Sequence, residues 1–179
     1  MQPPTKSPPP LGGIEVEAPH WGDLERPGRA ATVWRRAQNT FTSKVLGPHF
    51  EDLCRQWARW YAAPETCGGH PTRVVNGTIN DPAAKKGHEV DLAVFGHDAD
   101  DRETLLAIGE AKWNEPMGLS HLRRLQEIRD VLERRDITKS GATRLLCFSG
   151  AGFSDDLRRA ADDAPEVELI DLNRLYHGE

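Results

Sequence analysis

Two apolar segments near the middle of the chain end in acids, and together they restrict the fold more than any other feature. They read His88-Glu89-Val90-Asp91-Leu92-Ala93-Val94-Phe95-Gly96 and Leu105-Leu106-Ala107-Ile108-Gly109-Glu110-Ala111-Lys112-Trp113. Both are short, rich in β-branched and aliphatic residues, and bounded by polar turn residues, which predicts strands over 89–95 and 104–112. The acidic stretch from His97 to Arg102 between them is too short for a crossover, so the strands are expected to pair antiparallel. Strand side chains alternate between faces, so Glu110 and Lys112 project together. On the first strand the same alternation sets Val90, Leu92 and Val94 against Glu89, Asp91, Ala93 and Phe95. Leu106 and Ile108 are expected on the Glu110 face, with the small Gly109 and Ala111 behind it. A carboxylate among apolar residues needs a partner or a task. If Asp91 and Glu110 meet across the two strands, they form a hard oxygen site suited to Mg²⁺ or Mn²⁺, which the Ala111 carbonyl can join. Lys112 stands beside it. The plainer alternatives are a strand-end acid paired with an arginine and a structural Glu–Lys bridge.

Elements on either side complete a fold class. Residues 1–30 are rich in proline and glycine without apolar period, and read as a disordered or extended tail before one domain over 31–179. A helix is expected from Thr32 to Val45, broken at Gly47-Pro48, and a second after Pro48 carries Phe50, Leu53, Cys54, Trp57, Trp60 and Tyr61 toward the core. A strand over 73–79 precedes the two described. Leu119, Leu122, Leu125, Ile128 and Leu132 mark an amphipathic helix ending near Arg135. A strand at 143–148, a helix at 154–162 and a strand at 167–172 follow. The order is αβββαβ with a further α and β, expected as an α/β domain with a mixed central sheet flanked by helices on both faces.

Composition narrows the setting. The 179 residues suffice for one domain and carry a formal net charge of −5, which argues against a dedicated high-affinity DNA binder but leaves room for an enzyme with acids at its site. Arg123, Arg124, Arg129, Arg134, Arg135, Lys139 and Arg144 crowd one stretch, where paired charges on a solvated helix face are the simple account. Three scattered cysteines fit a reduced, cytoplasmic protein. No apolar run reaches the roughly 20 residues of a membrane span.

Three blocks in order then resemble a known superfamily. Gly47-Pro48-His49-Phe50-Glu51-Asp52-Leu53-Cys54, Glu89-Val90-Asp91 and Ile108-Gly109-Glu110-Ala111-Lys112-Trp113 are similar to the PD-(D/E)XK nucleases, the restriction-endonuclease-like fold. The closer likeness, over about Ala31 to Tyr176, is to the nuclease-like C-terminal domain of archaeal-type ATPases. The resemblance implies Asp91 and Glu110 as metal ligands, Lys112 as the catalytic lysine and Glu51 as an accessory acid. It implies Mg²⁺-dependent hydrolysis of DNA phosphodiesters in a bacterial cytoplasm. Val90 replaces the superfamily's proline before the first acid. No Gly-x-x-x-x-Gly-Lys-[Ser/Thr] loop occurs in the chain, so ATP binding is not expected of it, and a separate P-loop ATPase is the partner the likeness implies. The alternative expectation is a non-catalytic interaction module of a split or truncated ATPase system.

Overall fold

The computed structural model describes residues 28–98, 100–138 and 141–178. Nearly all of the expected tail, and Lys139 of the basic stretch, lie outside them. The chain divides at Pro48 into two compact units. In the first, helix α1 (Ala30–Phe41) stacks Trp34 on Phe41 with ring centroids 5.3 Å apart. A π-helical stretch, Thr42–Leu46, follows. Gly47 does not interrupt the backbone as expected: its φ is −58° and its amide reaches the Thr42 carbonyl, the wide spacing of a π turn.

The second unit is built on a five-stranded sheet in the order β1-β2-β3-β4-β5. β1 (Arg73–Asp81), β2 (Lys86–His97) and β3 (Glu103–Lys112) form an antiparallel meander. β4 (Arg144–Ser149) and β5 (Val167–Asp171) continue it in parallel. Each parallel connection needs a crossover. Helix α4 (Leu119–Arg134) supplies the first and α5 (Asp155–Asp162) the second. Helix α2 (Gly47–Trp60), the one-turn α3 (Pro64–Cys67) and the closing α6 (Leu172–His177) complete the set. The run α2-β1-β2-β3-α4-β4 has the expected αβββαβ order, in a mixed sheet with helices on both faces.

Two apolar layers hold the sheet. On one face Leu122, Leu125, Ile128 and Leu132 of α4 and Leu157 of α5 pack on Val90, Ala93, Ile108, Leu145 and Cys147. On the other, Phe50, Cys54 and Trp57 of α2 pack on Leu92, Val94, Ala111, Leu146 and Phe148. Each fully buried aliphatic side chain is worth roughly 1.5–3 kcal/mol. Tyr61 and Trp60 do not join this core; they are 72% and 69% exposed. Trp60 closes α2 away from the stripe formed by Phe50, Cys54 and Trp57, and Tyr61 falls just past the helix end, with Arg59 lying over the Trp60 ring instead.

Strict alternation also fails at two places, for one reason. Val75 pairs with Ala93 and Gly77 with Val90, so Asn76 of β1 faces both Asp91 and Leu92 of β2. This is a β-bulge, which turns Val90 to the Ala93 side rather than the Leu92 side. A second irregularity pairs Val94 with Ala107 and Phe95 with Leu105, which sends Leu106 to the α2 face, away from Ile108. The polar loop expected over 80–87 is shorter than its composition implies. Both strands run into it, because the Asp81 carboxylate accepts the amides of Ala83 (2.9 Å) and Ala84 (3.1 Å) and closes a tight turn.

Candidate active site

Glu51, Asp91, Glu110 and Lys112 come from α2, β2 and β3, and the core brings them to one end of the sheet. Phe50 and Trp113 stack at 5.3 Å, tilted by 53°. Because Glu51 follows Phe50 and Lys112 precedes Trp113, that aromatic contact sets the start of α2 against the end of β3.

The β2–β3 ladder stops at the pair Leu92–Gly109, and beyond it the strands part. Asp91, displaced by the bulge, fills the gap with its side chain: Oδ2 accepts the Ala111 amide at 2.9 Å. One residue's N–H and C=O point to the same neighbouring strand. The Ala111 carbonyl is therefore directed into the same opening as the Asp91 carboxylate. The loss of ladder bonds here creates room for chemistry without leaving that amide unpaired.

Glu110 is the most enclosed of the acids, at 3% exposure. Both its oxygens are held: Oε1 lies 3.1 Å from Lys112 Nζ, and Oε2 accepts Arg124 Nη1 at 2.8 Å. Glu110 and Lys112 share a face, as alternation predicts. Arg124, one turn into α4, also donates to the Glu89 carbonyl at 2.6 Å. Arg55 plays the matching part from α2, donating to the Asp91 carbonyl at 2.9 Å while lying 3.9 Å from Glu51. Two guanidinium groups thus pin the backbone on either side of Val90.

The electrostatics are unequal. Burial pushes the Asp91 carboxyl above its usual range and the nearby Glu110 charge pushes the same way, while the Ala111 amide and the Lys112 and Arg124 cations pull it down. Glu51 is likewise raised, by burial first and then by Asp91, with Arg55 and Lys112 opposing. These acids sit close enough to feel one another. Below Glu110, burial and the Glu110 charge push the Cys147 thiol up to about 12.

Can such a set hold a divalent ion? Among the described residues no three of His, Cys, Asp and Glu are grouped as a ready cage. Mg²⁺ does not require one: it commonly keeps several waters and takes one or two carboxylates. Asp91, Glu110 and the Ala111 carbonyl meet that smaller demand, and the raised acids favour a neighbouring positive charge. The donor chemistry fits, with Glu110 occupied by its two cations as it stands.

Arg55 and Arg124 were not singled out for the site by sequence reasoning. Arg55 lies four residues after Glu51, a spacing that signals a helical pair. Arg124 is hidden in a basic run of which several members have structural partners: Arg129 with Glu166, Arg134 with Asp81, Arg144 with Glu168.

No family model matches the chain, and comparison with curated proteins finds no relative. Two solved structures are similar in fold. One, an EndoMS–dsDNA2 complex, is 17% identical, with a TM-score of 0.36 over 66% of this chain and 43% of that one. The other, EndoMS in apo form, is 11% identical, with a TM-score of 0.40 over 70% of this chain and 45% of that one. This chain spans less than half the length of either. Likeness at that level leaves the chemistry to be read from this chain's own side chains.

Proposed function

We propose that this chain is a divalent-metal-dependent phosphodiesterase acting on DNA. The observation that carries the reading is the convergence of Asp91, Glu110 and Lys112 where β2 and β3 part, with Glu51 adjoining. Asp91, Glu110 and the Ala111 carbonyl would hold Mg²⁺ or Mn²⁺. A bound dication supplies Lewis acidity and lowers the pKa of a coordinated water. Lys112, one-third exposed beside Glu110, presents its ammonium to the phosphodiester and offsets charge growing on the phosphorus oxygens. Glu51, with its raised carboxyl, is placed to exchange a proton with water at the edge of the site. DNA as the substrate is what the three sequence blocks imply through their resemblance to the PD-(D/E)XK nucleases.

A second reading is that the chain is a non-catalytic interaction module, partner to a separate P-loop ATPase. What favours it is the closure of Glu110, both of whose oxygens are engaged by side chains. One assay separates the two. Plasmid and oligonucleotide substrates are incubated with Mg²⁺ or Mn²⁺ and wild type, Asp91→Ala or Lys112→Ala. Cleavage by wild type that drops about 10²-fold or more in both variants supports catalysis at this site. Equal cleavage by all three proteins sinks it. No cleavage, with a thermal midpoint indifferent to dication, supports the interaction module.

A further inference from the structure

The geometry points to Arg124 as a latch on Glu110, a guanidinium that must leave the carboxylate before a dication can be held and that then serves the substrate phosphate. This rests on the metal-dependent reading above. Glu110 has no unengaged oxygen: Lys112 takes Oε1 and Arg124 takes Oε2. One of the two cations has to yield for Glu110 to become a ligand. Lys112 extends from the same strand face two residues along, so it remains beside Glu110 whichever partner it holds. Arg124 reaches over from α4, and its side chain is 39% exposed, against 4% for Glu110. It also keeps a second anchor, the Glu89 carbonyl at 2.6 Å. Arg124 can therefore surrender Glu110 without becoming unpartnered.

The chemistry of the released group decides what it does next. A guanidinium offers a planar fork that matches two phosphate oxygens. Tethered to Glu89 at the mouth of the strand gap, Arg124 stands next to where a phosphodiester must lie to meet Lys112. Empty, the site is neutralised by its own arginine. With dication and phosphodiester together, Glu110 and Arg124 each exchange one another for a ligand of opposite charge. No covalent bond changes.

Truncating Arg124 should consequently move two affinities in opposite directions. Isothermal titration of Mn²⁺ into wild type, Arg124→Met and Arg124→Lys reads the first. R124M is expected to bind Mn²⁺ about tenfold tighter than wild type, near 1.4 kcal/mol, with R124K between them because an ammonium still competes for Glu110. Binding of a phosphorothioate duplex oligonucleotide at saturating Mn²⁺ reads the second, with R124M weaker several-fold and R124K restoring part of the loss. A merely structural arginine would leave Glu110 misplaced in R124M and weaken Mn²⁺ instead, which overturns the latch. Should R124M fold poorly, R124Q keeps a donor for the Glu89 carbonyl without the charge and carries the same test. Unchanged duplex binding by the variant overturns the phosphate half. If wild type cleaves DNA while R124M binds Mn²⁺ no tighter, the latch falls and the nuclease stands. If R124M binds Mn²⁺ tighter but no protein cleaves, the latch stands and the nuclease falls. If neither binds Mn²⁺, both fall.

Discussion

A carboxylate as enclosed as Glu110 is costly without compensation, and here the compensation comes from two cations on two different elements. Asp91 is less well served. It receives one backbone amide and has a buried location, so its neutral form is favoured more than in the unfolded chain. The sign of the resulting pH effect is fixed. A carboxyl whose folded pKa is raised binds more protons in the folded than in the unfolded state between the two pKa values, so stability falls as pH rises through that interval. Asp91→Asn keeps an acceptor for the Ala111 amide and removes this ionisation. Thermal midpoints measured from pH 4 to pH 8 should therefore show the variant gaining on wild type as pH rises above the ordinary carboxylate range. A constant offset across pH would mean that Asp91 carries no such shift. The charges at 110 and 112 were readable from the strand period because both side chains follow from local geometry. Arg124 was not, since its role depends on a distance between a helix and a strand that no local pattern encodes.

At the level of elements, periodicity located the strands and helices and missed what lies between patterns. α3 and α6 are too short, at four and six residues, to show a helical repeat. The bulge at Asp91–Leu92 is invisible because each flanking segment alternates correctly by itself, and only pairing with β1 reveals the extra residue. That irregularity turns Asp91 toward the Ala111 amide, so the departure from pattern and the candidate site coincide. The end of β3 is fixed from its far side by the turn after β4. Gly150 donates its amide to the Lys112 carbonyl at 2.9 Å, and a methyl there would lie 2.6 Å from both the Trp113 carbonyl and its ring. Gly150→Ala must displace backbone next to Lys112. We expect a loss of about 1–3 kcal/mol in denaturant unfolding and a drop in any dication-dependent cleavage. Wild-type values for both would show that the turn has slack.

For the whole molecule, the two cores on opposite faces of the sheet enclose all three cysteines, which are buried. Burial raises the Cys54 thiol, and burial with Glu110 raises that of Cys147, so little nucleophilic thiolate is present in the folded protein. A thiol reagent at pH 8 should label none of the three in the native state and all three in denaturant. Rapid native labelling of even one would show that a core layer opens readily. No helix among the described residues is long and apolar enough to cross a membrane. The layered α/β plan was legible because it follows from summed local signals. Gly47-Pro48 marked the place where the two units divide, but not that helical backbone continues through it, since a π turn leaves no local sequence pattern.

The doubled residue opposite Asn76 has a bearing on how this molecule tolerates change. A strand with one residue too many is the rare place where losing one lets the ladder close more regularly. Excision of Asp91 would let β2 pair more regularly with β1, yet remove the carboxylate that receives the Ala111 amide.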